Sequence, residues 1–215
     1  DNKQTSAWGT HNATMWIGTL RIVRPEQQDE TTNKTKQAKL SHAVSVVVLI
    51  QETPTTTLYR ALTPVPKDVN LHEYLRQYFQ LDQSLTDLYQ EWSAADTRLS
   101  IIAKHIPGVR ILDQDPWECL ISFICSSNNN IPRITKMLSS IRQTYGQPLL
   151  TIMQEEEEEE TFYSFPSLDD LTTQKAVTDE DLRQTCGLGY RSKYILETIK
   201  ILNNHGGEAY LHQLK

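Results

Sequence analysis

The sequence predicts an α+β fold: an antiparallel sheet with flanking helices in the N-terminal part, then a helical second part joined to it near Leu112. Three observations carry that expectation. Short β-branched segments fill the first third, the apolar period turns helical from Asn70 onward, and Asp115-Pro116-Trp117-Glu118 has the form of a helix start.

Trp16 to Val23, Val44 to Ile50 and Thr56 to Ala61 are rich in β-branched and aromatic residues and are separated by polar or proline-containing connectors. An antiparallel sheet is the simplest arrangement for them. The almost wholly polar connector from Pro25 to Gln37 reads as a long, mobile hairpin loop. Leu71, Leu75 and Tyr78 recur at helical spacing behind Asn70, a suitable N-cap. Leu85, Leu88, Tyr89 and Trp92 mark a second helix, and Leu99, Ile102 and Ile106 a third that ends at Pro107-Gly108. Apolar stripes of this kind suit packing on one face of a sheet.

In the second part, Asp115 as N-cap, Pro116 at the first helical position and Glu118 at the third follow capping-box logic, in which carboxylates bond the orphan amides of the first turn. The helix they start is apolar almost all round, through Cys119, Leu120, Ile121, Phe123, Ile124 and Cys125, the pattern of a helix buried among others. It stops at Ser126-Ser127-Asn128-Asn129-Asn130. Ile131-Pro132-Arg133 opens the next, which carries Ile134, Met137, Leu138 and Ile141 to Tyr145-Gly146. Phe165-Pro166-Ser167-Leu168 begins a further helical stretch. Cys186-Gly187-Leu188-Gly189-Tyr190 is a tight turn before a helix with Ile195, Ile199 and Leu202 that ends at Gly206-Gly207.

A chain of 215 residues with 38% hydrophobic content is long enough to bury a core. Its longest apolar run, Val46 to Ile50, falls far short of the ~20 residues that cross a bilayer, so no membrane partner is expected. The first residue is not Met, and the chain reads as a fragment or a processed product. The 3 cysteines, Cys119, Cys125 and Cys186, are odd in number and lack CxxC spacing, which fits thiols in the cytosol or nucleus. The 6 histidines show no HxxxH or HExxH spacing, so neither a metal nor another cofactor is expected. A net charge of -6 argues against nucleic-acid binding by bulk charge, although a local basic surface is compatible with it. Much of the negative charge is the run Glu155 to Glu160, which reads as a solvated loop because its charges repel one another.

Two constellations carry chemistry. The polar run from Ser126 to Arg133 sits between apolar helices and cannot be core, because buried amides are costly unless paired. Asn offers a donor and an acceptor that match a base edge, and Arg offers a planar fork for bases and phosphates. Taken alone, a helix-ending Asn cluster with a solvated Arg is the stronger reading. In Leu188-Gly189-Tyr190-Arg191-Ser192-Lys193-Tyr194, an aromatic beside an arginine at a helix start is what a base-unstacking wedge requires. Taken alone, it is more simply a helix cap with a half-buried Tyr.

Together they form a longer pattern. Asp115 to Ile134, reading D-P-W-E-C-L-I-S-F-I-C-S-S-N-N-N-I-P-R-I, closely resembles the corresponding stretch of eukaryotic 8-oxoguanine DNA glycosylases. Tyr78-Phe79-Gln80-Leu81-Asp82, Gly108-Val109-Arg110-Ile111-Leu112, Phe165-Pro166-Ser167-Leu168 and Leu188-Gly189-Tyr190-Arg191 resemble further family stretches in the family order. The likeness runs from about Asp68 to the end, whereas the strand region is similar only in character.

The resemblance implies an N-terminal sheet-and-helix domain over 1–112 and part of the family's α-helical glycosylase domain over 113–215. It also implies an enzyme that flips 8-oxoguanine out of the duplex, cleaves its glycosidic bond and nicks the abasic strand. Its partner would be double-stranded DNA carrying 8-oxoguanine opposite cytosine, met as a monomer in the nucleus or in a mitochondrial form. By the same resemblance Asn128 fills the space near the estranged cytosine, Arg133 and Arg191 contact that cytosine, and Tyr190 wedges into the stack.

The family's attacking lysine and its aspartate belong to a helix-hairpin-helix of the form L-P-G-V-G-x-K and the segment after it, expected beyond Lys215. Pro107-Gly108-Val109-Arg110 lacks the second Gly and the Lys, and nothing marks Lys193, Lys200 or Lys215 as a nucleophile. The family's lesion-contacting glycine lies in a G-Q-S-F-R-W type strand, expected before Asp1. This chain is therefore expected to contain no catalytic residue. The alternative is a truncated DNA-binding or interaction module, and an enzyme acting on alkylated purines fits the Asn triplet and the Gly-Tyr-Arg motif less well.

Overall fold

The computed structural model describes residues 8–12, 15–24, 41–153, 159–174 and 177–214. They divide into two compact units, one made of residues 1–64 and 115–215 and the other of residues 65–114. This grouping by packing differs from the division at Leu112, which follows the family's order along the chain.

In the first unit, β1 (Trp8–Asn12), β2 (Met15–Arg24), β3 (Ser41–Glu52) and β4 (Thr57–Ala61) form an antiparallel sheet in the order β1-β2-β3-β4. The three strands expected from composition are β2, β3 and β4. The Pro25 to Gln37 connector lies outside the described residues. Leu20 pairs with Val46 and Gly18 with Val48 on one face, while Arg21 pairs with Ser45 and Thr19 with Val47 on the other. Ile17, Thr19, Leu20, Arg21 and Ile22 are all buried, as are Val46, Val47 and Val48. Both faces of the β2–β3 centre are thus covered, which accounts for a continuous apolar run where a half-exposed strand would alternate.

The rest of this unit is mostly helical: α4 (Pro116–Ser126), α5 (Ile131–Tyr145), α6 (Asp179–Gln184), α7 (Arg191–Asn204) and α8 (Glu208–Gln213). α1 (Leu71–Tyr78), α2 (Leu85–Ala95) and α3 (Thr97–His105) belong to the second unit. α4 has the expected start, with Asp115 Oδ1 accepting the Glu118 N–H at 2.9 Å. Trp117, Ile121 and Cys125 form its buried stripe, and they pack with Ile134, Met137 and Ile141 of α5 and Ile195 and Ile199 of α7. Phe123, expected among the buried residues of an all-apolar helix, is instead exposed, whereas its neighbours Leu120 and Ile124 pack partly against the core. Trp117 is fully buried, and its indole N–H donates to the Pro166 carbonyl at 2.9 Å, fixing the Phe165-Pro166 segment against α4. Glu118 pairs with Arg142, whose guanidinium lies 5.2 Å over the Phe165 ring.

Phe165-Pro166-Ser167-Leu168 leads into a π-helical turn at Asp170–Gln174. A second, two-stranded sheet pairs β5 (Pro148–Met153) with β6 (Glu159–Tyr163). This corrects the expectation of a wholly solvated acidic loop: Glu159 and Glu160 open β6, opposite Met153 and Ile152. The flanking Leu149-Leu150 and Phe162-Tyr163 supply apolar and aromatic side chains that favour the pairing despite the charges.

The chain enters this hairpin through Gly146, whose N–H donates to the Arg142 carbonyl at 2.8 Å. A Cβ there would collide with the Ser164 carbonyl oxygen and lie 2.5 Å from that of Arg142. Gly146→Ala is accordingly expected to destabilise the protein by about 1–3 kcal/mol, as overpacking against backbone does. A chemical-denaturation midpoint equal to that of the parent would refute this.

In the second unit, Asn70 and Ser84 cap α1 and α2, and Asp96 both ends α2 and caps α3. Leu71, Leu75 and Tyr78 are buried as their spacing predicts. Leu99, Ile102 and Ile106 were expected to face a core and are instead exposed, and neither α2 nor α3, both short, has a fully buried residue. The unit is tied by Arg110 Nη1, which donates to the carbonyls of Gln80 and Gln83 at 2.9 and 3.1 Å.

Candidate nucleic-acid interface

The site starts where α4 stops. The last carbonyls of a helix have no partner within it and carry partial negative charge. The Ser127 N–H bonds to the Ile124 carbonyl at 3.3 Å, and Asn128 then turns with φ at +45°. That left-handed conformation costs an L-residue about 1–2 kcal/mol, least for Asn, whose short polar side chain tolerates it.

The three asparagines have different tasks. Asn129 Nδ2 donates to the Cys125 carbonyl at 2.8 Å, and its Oδ1 accepts the Asn130 N–H at 3.0 Å. Asn130 Oδ1 accepts the Arg133 N–H at 3.1 Å and caps α5. Asn129 and Asn130 therefore build the turn, while the exposed Asn128 is presented by it. Arg133 lies in the first turn of α5 with an exposed side chain that makes no hydrogen bond or ion pair among the described residues.

The second corner comes from the α6–α7 turn. Gly187 and Gly189 have φ of 68° and 58°, and no atom lies within 4 Å of a Cβ added at either. Backbone hand, not space, is what requires glycine there. Leu188 is fully buried between them and anchors the turn. Ser192, also fully buried, places its Oγ 2.5 Å from Asp179 Oδ1 and 2.8 Å from the Gly189 carbonyl oxygen, tying the start of α7 to α6.

The two corners meet. The Tyr190 hydroxyl donates to the Ser127 carbonyl at 3.2 Å. Arg191 Nε donates to the same carbonyl at 3.0 Å; Nη2 also bonds to it and donates to the Asn128 carbonyl at 3.0 Å. The guanidinium carbon lies 4.6 Å from the Tyr190 ring centroid, and Tyr194 meets that ring edge-on at 5.9 Å. Tyr190 remains 45% exposed, whereas Arg191 is 2% exposed. Arg191 thus bonds to Asn128 and stacks on Tyr190, which itself bonds to Ser127, and Arg133 lies in the first turn of α5 beyond Asn128. Sequence reading missed the work of Asn129, whose side chain has the capping chemistry common at such turns, and the burial of Arg191, for which the sequence holds no signal.

The Ser192 hydroxyl, followed by the Arg183 guanidinium, holds the Asp179 carboxyl below its usual pKa. A lowered carboxyl pKa adds stability above the unfolded value, and that stability is lost as pH falls through the folded value. The parent is therefore expected to exceed Asp179→Asn in stability at neutral pH. The gap should close on acidification below about pH 4. A gap that widens there would show that the charge on Asp179 does not support this turn.

Among the described residues no group of His, Cys, Asp and Glu could hold a metal ion, and no helix is long and apolar enough to cross a membrane. Lys193 and Lys200 are exposed on α7, with Lys200 Nζ 3.7 Å from Glu197 Oε2.

The architecture is that of solved DNA glycosylases. The Clostridium acetobutylicum 8-oxoguanine glycosylase/lyase, solved with double-stranded DNA containing cytosine opposite 8-oxoguanine, superposes with a TM-score of 0.66 at 25% identity, over 92% of this chain and 55% of that one. Residues 2–120 match the 8-oxoguanine DNA glycosylase N-terminal domain family. The Saccharomyces cerevisiae N-glycosylase/DNA lyase is 40% identical over 167 residues, which is 77% of this chain and 42% of that protein. The Arabidopsis thaliana N-glycosylase/DNA lyase OGG1 is 41% identical over 152 residues, 70% of this chain and 38% of that protein. The chain belongs to the 8-oxoguanine DNA glycosylase family. It matches about two fifths of the length of these two relatives.

Proposed function

We propose that this chain is the part of an 8-oxoguanine DNA glycosylase and abasic-site lyase that grips the damaged duplex and recognises the cytosine left behind when the lesion is flipped out. The observation that carries the reading is that Tyr190 and Arg191 bond to the Ser127–Asn128 backbone, bringing the two turns to one corner, with Arg133 exposed in the first turn of α5. Removing a base from the stack costs a few kcal/mol, which a wedge and substitute hydrogen bonds for the orphaned partner must offset. The half-exposed Tyr190 ring is suited to the wedge. Asn128 has an amide, and Arg133 and Arg191 have guanidinium forks, whose donors match the O2 and N3 acceptors of an unpaired cytosine.

The base-removing step needs a deprotonated lysine in a site that lowers its pKa. Lys193 and Lys200 lie in solvent, so in this proposal the attacking residue belongs to another part of the enzyme. We place the enzyme in the nucleus, with a mitochondrial form as the alternative, and assign it a monomeric state because one wedge serves one lesion.

The test is fluorescence-anisotropy titration of this chain with duplexes that carry a stable abasic analogue opposite cytosine or opposite adenine. Binding is expected to be at least ~10-fold tighter opposite cytosine, the worth of one good base contact. No strand cleavage should accompany it on 8-oxoguanine duplex. Equal affinity for both duplexes and for undamaged DNA would reject the reading.

A further inference from the structure

Arg191 does not sit as a residue that only reads a base would be expected to sit. Its side chain is buried beneath Tyr190, and among the described residues its hydrogen bonds use Nε and Nη2, on the carbonyls of Ser127 and Asn128. Those carbonyls belong to the C-terminal end of α4 and to a residue with φ at +45°. A cation is favoured at such a helix end, and a fork with several fixed donors can hold two successive carbonyls at once, which a point charge cannot. The Ser127 carbonyl also receives the Tyr190 hydroxyl, so the wedge and the turn share one acceptor across 63 residues of sequence.

We propose that Arg191 is a positioning residue: it fixes the left-handed backbone of Asn128, and thereby the Asn128 amide, before DNA arrives. This deepens the proposed function and rests on it. The advantage is preorganisation, since a turn already ordered in the free protein adds no ordering cost when it meets the base. Arg191 then acts on opposite-base selection through Asn128.

The experiment is a double-mutant cycle read two ways. Amide exchange in the DNA-free protein follows Ser127 and Asn130, whose N–H groups bond to the Ile124 carbonyl and to Asn129 Oδ1. Arg191→Ala is expected to speed both by at least ~10-fold while amides in the middle of α5 stay as slow as in the parent, the pattern of a local opening. The second readout is the ratio of affinities for abasic duplex opposite cytosine and opposite adenine. If Arg191 acts through Asn128, Arg191→Ala lowers that ratio about 10-fold in the parent and less than ~2-fold in an Asn128→Ala background.

Losses that multiply would make the two residues independent readers and overturn the proposal, as would unchanged exchange at Ser127 and Asn130. If Arg191→Ala does not fold, Arg191→Lys takes its place, with faster exchange of the same two amides expected because an ammonium cannot span both carbonyls. Should the parent fail to bind either duplex, the functional reading falls, and the exchange data still decide whether Arg191 holds the turn.

Discussion

Arg21→Ala is expected to lower stability by about 3–5 kcal/mol, the penalty for stranding buried charges by removing one partner. Arg21 rises from β2 into the packed interior, where Nη1 meets Asp115 Oδ2 at 2.8 Å and Nη2 meets Glu208 Oε2 at 2.5 Å. Burial alone would lower its pKa, but the two carboxylates outweigh that and hold the guanidinium above its usual value. Both carboxylates have further duties: Asp115 caps α4, and Glu208 Oε1 accepts the Leu168 N–H at 2.7 Å. Without the arginine, two largely buried acids lose their shared cation, and His212 Nε2, 3.8 Å from Asp115, is the other basic nitrogen close to it among the described residues. Urea denaturation of parent and variant gives the difference directly, and a loss below ~1 kcal/mol would mean that the cluster only fills space.

Arg133→Ala should do the opposite, leaving stability nearly unchanged and altering selection. Its side chain is exposed and unbonded, while the backbone contact to Asn130 survives the substitution. A lost bidentate base contact removes about 1–3 kcal/mol of discrimination, so the preference for cytosine over adenine opposite an abasic analogue should fall roughly 10- to 100-fold. Affinity loss that is equal opposite both bases would reassign Arg133 to the phosphate backbone.

How much of this was legible depends on whether the controlling interactions are local. The start of α4 was, because Asp115, Pro116 and Glu118 carry a helix terminus within four residues of one another. The same holds for the Asn turn and the Gly187–Tyr190 turn, where side-chain type and positive φ are properties of the segment itself. Arg21 was not, because a lone charged residue in a strand ordinarily faces solvent, and its partners are 94 and 187 residues away. The burial of Arg191 escaped for a similar reason, since its acceptors are backbone carbonyls that any sequence would supply. The β5–β6 hairpin was hidden by its own acidic run, whose charge overrode the apolar residues flanking it. Resemblance reached the function further than periodicity did, through the long motif around Asn128.

The Arg21 cluster also bears on the order in which the protein is made. Arg21 and Glu208 are 187 residues apart, so at roughly 5–20 residues per second the arginine leaves the ribosome about 10–40 s before its second carboxylate exists. For the first half of that interval Asp115 is also still unmade, and until Glu208 follows the inward-facing guanidinium has only one of its two carboxylates. The cluster is complete only once Glu208, the first residue of α8, has been made.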